Sequence, residues 1–169
     1  TARAPNLEGL IPRRFEMNST TTTTVPLISS GSAGPLGVLH LPRLWAKLTL
    51  GTAGKLADGY DFCGQGFDQM TLNALNLDRE KTIAYVEEKR PTYLQFEDWI
   101  VEQNGGKIPQ AAIDEHNKAV TGYNHADDLA ASMRTSSGCR NSTTKDAVTL
   151  NMLEDLDELH ARNGGPGLT

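Results

Sequence analysis

The run Leu41-Pro42-Arg43-Leu44-Trp45-Ala46-Lys47-Leu48 has the period of an amphipathic helix. Leu41, Leu44, Trp45 and Leu48 recur at i, i+3, i+4 and i+7, one face of a 3.6-residue repeat. Pro42 falls in the first turn, where its missing N–H leaves no hydrogen bond unmade. Arg43 and Lys47 lie off the stripe, and Gly51 and Gly54 end it.

The same period runs through the rest of the chain. After a Gly- and aromatic-rich loop from Gly59 to Gly66, Asp68 reads as the cap of a short helix carrying Met70, Ala74 and Leu75. Asp78 caps another, with Ile83 and Val86 inward. Thr92-Tyr93-Leu94-Gln95 is a capping box, and the helix it opens puts Phe96, Trp99 and Ile100 on one face before Gly105-Gly106. Pro109 starts a helix with the stripe Ile113, His116, Asn117, Val120. Asn124 to Asp127 reads as the cap of a helix bearing Leu129 and Met133. The last helix is expected from about Lys145 to Arg162, with Val148, Met152, Leu156 and Leu159 inward. No alternating β-branched run of strand length occurs outside a tract of threonines. The expectation is an all-α, compact single domain of six or seven short helices.

Residues 1–35 differ in composition. The Thr20–Thr24 run and Ser29-Ser30-Gly31-Ser32-Ala33-Gly34 read as a flexible N-terminal arm ahead of a helical domain at 36–169. Met17 is a candidate native start with 1–16 as an added extension; the alternative is an arm that orders against a neighbouring subunit.

With 169 residues, of which 38% are hydrophobic, the chain is long enough for one domain with a real core. Its net charge of −5 argues against nucleic acid, which calls for a basic face. The longest apolar stretch, from Pro35 to Leu50, is interrupted by His40, Pro42, Arg43 and Lys47, which argues against membrane insertion. No secretion signal is apparent at the N-terminus, so Cys63 and Cys139 are expected as reduced thiols in a cytoplasmic protein, and the sequons at Asn18 and Asn141 carry no weight.

The segment Gly37 to Lys47, with His40-Leu41-Pro42-Arg43 at its centre, resembles the opening signature of the bacterial domain-of-unknown-function family 5069. The likeness extends over roughly Gly34 to Glu158. It takes in Tyr60, Phe62, Gly64 and Asp68 through Leu77, then Trp99-Ile100, Gly105 and Asn117, and the acidic run Leu153 to Glu158. The resemblance implies a small, mostly helical bacterial protein and no settled activity. Cys63, the Thr tract and the Thr135–Thr144 loop are not family features.

Several residues carry possible chemistry, each beside a structural alternative. His116 and Asn117 interrupt an apolar stripe; His116 is either a general base near neutral pH or a core histidine satisfied by backbone. Arg43 either clamps a carboxylate on a substrate or pairs with Asp61 or Asp68. Cys63 is either a nucleophile or an idle thiol. Glu154, Asp155, Asp157 and Glu158 read as a solvated face, with Glu158–Arg162 an i,i+4 pair. Gly51-Thr52-Ala53-Gly54-Lys55-Leu56 lacks the first Gly and the Ser/Thr of a phosphate loop. His116 and His125 with nearby acids lack metal-site spacing, so no metal is expected, and no cofactor motif is present.

The leading expectation is a cofactor-independent enzyme doing proton-transfer chemistry on a small organic substrate. His116, Asp61, Tyr60 and Asp68 would be catalytic, and Arg43, His40, Asn117, Trp99 and Cys63 would contact substrate. The alternative is a non-catalytic ligand-binding module or a homodimeric interaction module.

Overall fold

A computed structural model describes residues 22–166. Seven helices follow one another: α1 Leu41–Thr52, α2 Phe67–Ala74, α3 Arg79–Lys89, α4 Tyr93–Gln103, α5 Gln110–Gly122, α6 Asp127–Ser136 and α7 Ala147–Arg162. Among the described residues there is no strand; two isolated bridges, Thr24 with Leu56 and Asn124 with Asp146, are the only β pairings. The architecture is all-α. No described helix is long and apolar enough to cross a membrane.

The main core forms because α1 sits among three helices, packing on α2, α3 and α4. Its Leu41, Leu44 and Leu48 are fully buried with Leu72, Leu75, Val86, Phe96 and Ile100. Each such side chain contributes roughly 1.5–3 kcal/mol by leaving water. A smaller cluster of Ala130, Met133 and Leu150 joins α6 to α7.

Local signals fix most of the ends. Asp78 caps α3 through Lys81 N–H, and Thr92 with Gln95 forms the reciprocal capping box of α4. Asp146 caps α7 through Thr149 N–H, so that helix opens two residues later than the expected Lys145. Asp68 does not cap α2: Gly66 does, and the Asp68 carboxylate accepts instead from Gly64 N–H. Asn124 does not cap α6 either; Ala126 holds that place, and the Asn124 amide turns back to Gly122 carbonyl.

The largest departure from the sequence pattern is the register of α7. Its buried residues are Ala147, Leu150 and Asp155, while the expected inward residues Met152, Leu156 and Leu159 are exposed. Asp155, expected in solvent, is 3% exposed. Burying that carboxylate demands a cation, and Arg43 of α1 supplies it.

Residues 22–35 are irregular but tied to the helical body. Thr24 N–H donates to Lys55 carbonyl and Ala57 N–H to Thr24 carbonyl, Val25 and Pro26 are buried, and His40 N–H reaches Ser32 carbonyl. The linker-like composition allows the irregular path, and the Arg43 side chain of α1 satisfies the Pro26 and Ile28 carbonyls. The candidate start at Met17 and the extension at 1–16 lie outside the described residues.

Candidate functional site

His40, Arg43 and Lys47 are spaced i, i+3, i+7 and all three are buried, at 3%, 6% and 8% exposure. They form a polar stripe beside the leucine stripe of α1. Buried cations need partners, and two carboxylates divide them.

Asp68 serves His40 and Lys47. His40 Nε2 lies 2.8 Å from Asp68 Oδ1, Lys47 Nζ lies 2.5 Å from Oδ2, and Gly64 N–H donates to Oδ2 at 2.7 Å. Burial alone would raise the Asp68 pKa, but His40 and Lys47 outweigh it and hold the carboxyl down at about 2. Burial also lowers the His40 pKa, against the pull of Asp68, so the imidazole is neutral at pH 7. Its Nε2 faces a carboxylate and therefore carries the proton; Nδ1 accepts from the Ser30 hydroxyl at 3.0 Å. Ser30, His40 and Asp68 are thus joined in a row, but at 2–3% exposure each is sealed from substrate.

Asp155 serves Arg43 and Tyr60. Arg43 Nη1 and Nη2 reach its two oxygens at 2.5 and 2.9 Å. Nη1 also donates to the carbonyls of Pro26 and Ile28, tying the N-terminal segment to the site. The Tyr60 hydroxyl donates to Asp155 Oδ1 at 2.9 Å, and the guanidinium lies 5.9 Å from the Tyr60 ring centre. Burial, then the Asp155 charge, raise the Tyr60 pKa, so the phenol stays protonated. The sequence leaves Arg43 either to a substrate carboxylate or to Asp61 or Asp68. Its actual partner is on α7, and the Nη1/Nη2 fork is taken by the two Asp155 oxygens, so that fork does not face an anionic substrate.

This second group lies on the wall of an open cleft of about 520 Å³ between α1, the 58–61 loop, the end of α6 and α7. Tyr60, Asp61, Asp155 and Lys47 line it, with Asp58, Glu154, Asp157 and Glu158. Arg43 and Lys47 are each bound by a carboxylate, so the cleft is strongly acidic.

The other expected site residues are elsewhere. His116 Nε2 donates to Leu39 carbonyl at 3.0 Å and lines a shallow depression with Met70 and Ala112, not the acidic cleft. Asn117 accepts from Leu39 N–H and donates to Gly37 carbonyl, fixing the turn that precedes α1. The structure therefore does not bring His116 to Tyr60, Asp61 and Arg43. Trp99 stacks on Tyr85 with centroids 4.3 Å apart and lines a separate groove with Pro91 and Gln95. Cys63 is buried, and burial pushes its thiol pKa up, which disfavours the thiolate a nucleophile needs. Its carbonyl accepts from Arg79. Both cysteines are free thiols. Among the described residues no group of three or more His, Cys, Asp or Glu side chains is placed to hold a metal.

Sequence reasoning missed Lys47 and Asp155. The available signal was the i, i+3, i+7 stripe of His40, Arg43 and Lys47, which announces buried cations in need of acids. No family model, curated protein or solved structure matches the chain, so the likeness of the His40–Arg43 segment to family 5069 gains no support from them.

Proposed function

We propose that this chain is a non-catalytic small-molecule-binding domain whose acidic cleft takes a compact polar ligand bearing one or more amines. The observation that supports the reading is the Arg43–Asp155–Tyr60 group on the wall of an open cleft whose remaining rim side chains are mostly carboxylates. The buried ion pair holds α1, α7 and the 58–61 loop in place, which pre-organises the cleft at no cost on binding. The exposed acids Asp58, Asp61 and Glu154 supply acceptors and negative potential for a cation.

Proton-transfer catalysis on a small organic substrate is the second reading. It is favoured by one feature, the Tyr60 hydroxyl bonded to the Asp155 carboxylate where the cleft admits substrate. In that reading Tyr60 and Asp61 act on the substrate, while the sealed His40–Asp68 pair and the backbone-bound His116 do not. A homodimer would find its seat on the exposed stripe Met152, Leu156 and Leu159 of α7.

The test is a thermal-shift screen of small diamines, polyamines and amino sugars against dicarboxylates. Amines should stabilise the wild-type chain, and Asp61→Asn with Glu154→Gln should weaken that response while leaving the unliganded melting temperature unchanged. Stabilisation by dicarboxylates instead, or an amine response indifferent to both substitutions, overturns the reading. Turnover of a hit, lost in Tyr60→Phe, would move the assignment to the enzyme.

A further inference from the structure

A second cavity, of about 330 Å³, shares Asn151 with the acidic cleft. Phe67, Met70, Tyr123 and His125 line it, and three of those four are rings. Phe67 and Tyr123 meet edge to face, with centroids 5.5 Å apart and planes at 72°. Tyr123 and His125 meet likewise, at 5.8 Å and 86°. Successive rings are thus close to perpendicular. A flat aromatic guest binds best between parallel faces, and no parallel pair lines this cavity. Perpendicular rings surround a compact guest from different directions.

The rings are held in place before any guest arrives. Tyr123 carbonyl accepts from Ala147 N–H, and His125 N–H donates to Lys145 carbonyl, so the segment between α5 and α6 is pinned to the start of α7. His125 Nε2 lies 3.1 Å from Asn151 Oδ1, an acceptor, which fixes the imidazole. Tyr123 nevertheless keeps 47% of its surface exposed. Glu154 stands three residues on from Asn151 in α7, on the rim of the adjoining cleft, which places a carboxylate near the rings. Polarizable Met70 completes the wall.

We propose that this cavity binds the trimethylammonium head of a small free molecule. A quaternary ammonium is compact, cationic and poorly hydrated, and it is attracted to the faces of aromatic rings by their quadrupoles. It donates no hydrogen bond, which suits a wall where His125 Nε2 and Asn151 Oδ1 are already engaged with each other and the remaining polar groups, Gln65 and the Tyr123 hydroxyl, can stay in water. The rings that form the site are not part of the acidic cleft, although Asn151 borders both and Glu154 lends its charge to both.

The test is calorimetric titration of the full chain with tetramethylammonium and with choline. Controls are ammonium at matched ionic strength and the neutral tert-butyl isostere of choline. Both quaternary ligands should saturate, with the isostere weaker by roughly ten-fold, a loss typical of an unmade cation–π contact. Tyr123→Leu should lower affinity for choline by a similar factor, Tyr123→Phe should retain it, and Tyr60→Phe in the neighbouring cleft should leave it unchanged. Tyr123 is half exposed, so these variants keep the fold. Equal binding of the neutral isostere, absence of saturation in the millimolar range, or indifference to Tyr123→Leu overturns the proposal. Sedimentation with phosphatidylcholine vesicles in place of a response to free choline overturns the assignment to a free molecule.

Discussion

Arg43 of α1 and Asp155 of α7 face each other through two hydrogen bonds, across 112 positions of sequence, with both side chains buried. The pair joins the first and last helices and sets which face of α7 turns inward. Because its Nη1 also holds Pro26 and Ile28 carbonyls, Arg43 couples the N-terminal segment to the same point. A buried pair of this kind contributes little over a well-packed apolar pair, but losing one partner strands the other charge.

Asp155→Ala should therefore destabilise the chain by roughly 3–5 kcal/mol. The double variant Arg43→Met with Asp155→Leu should recover much of that loss. Urea unfolding of the three proteins checks it. A double variant as unstable as the single would show that the Pro26 and Ile28 contacts, not the ion pair, hold the region together.

How much of this was legible in the sequence follows from the range of each interaction. Helix α1, the Thr92–Gln95 box and the inward Ile113, His116 and Val120 of α5 were readable because period and capping are local. The α7 register was not. Met152, Leu156 and Leu159 make the more hydrophobic stripe, and only a cation from the far end of the chain explains why Asp155 is buried in their place. For the site, Arg43, Tyr60 and Asp61, all expected from sequence, line one cleft, whereas His116 meets a backbone carbonyl away from it. The pattern shows that a polar group is buried, but its partner is a tertiary fact.

Acid should destabilise the fold in two stages. His40 has its pKa lowered on folding from 6.5, so below that pH the unfolded chain binds a proton the folded chain refuses, and stability falls. Asp68 is lowered from 3.8 to about 2, so its contribution is full above 3.8 and is lost as pH drops toward 2. That second stage is worth roughly 2 kcal/mol. Urea midpoints measured across this range should show both stages in the wild type. His40→Asn, a residue that tolerates the left-handed φ of 67° found here, should remove the first. An unchanged slope just below pH 6.5 in that variant would assign the stage to another group.

Arg90 ends α3 with φ 45°, in the left-handed region, while its N–H bonds Val86 carbonyl. Glycine adopts that conformation freely. Arg90→Gly should stabilise the protein by about 0.5–1 kcal/mol, read as a higher urea midpoint at unchanged m-value. Destabilisation would mean that the exposed guanidinium makes a contact worth more than the strain.

Gly51 stands in the last turn of α1 because Phe62 lies against it. A methyl placed there would sit 2.1 Å from Phe62 Cδ2 and 2.5 Å from Cε2. Helix propensity alone favours Gly51→Ala by about 1 kcal/mol. Overpacking costs about 1–3 kcal/mol and should win, so the substitution should lower stability in the wild type. In a Phe62→Ala background the clash is gone and the same change should raise it. A change of sign between the two backgrounds, in thermal unfolding, is the expected result.

His116 has a structural role in both functional readings. Its Nε2 proton is bound to Leu39 carbonyl, just ahead of the His40 turn, and the residue is 4% exposed. Removing it takes the donor from the partly buried Leu39 carbonyl, which costs about 0.5–1.5 kcal/mol. His116→Ala should thus lower the melting temperature, while ligand binding at the acidic cleft, measured well below that temperature, should keep its affinity. His116→Gln, which can offer an N–H to Leu39, should restore part of the stability. If His116→Gln is as stable as wild type but abolishes turnover of a cleft ligand, the imidazole is a base after all, and the cleft must reorganise to reach it.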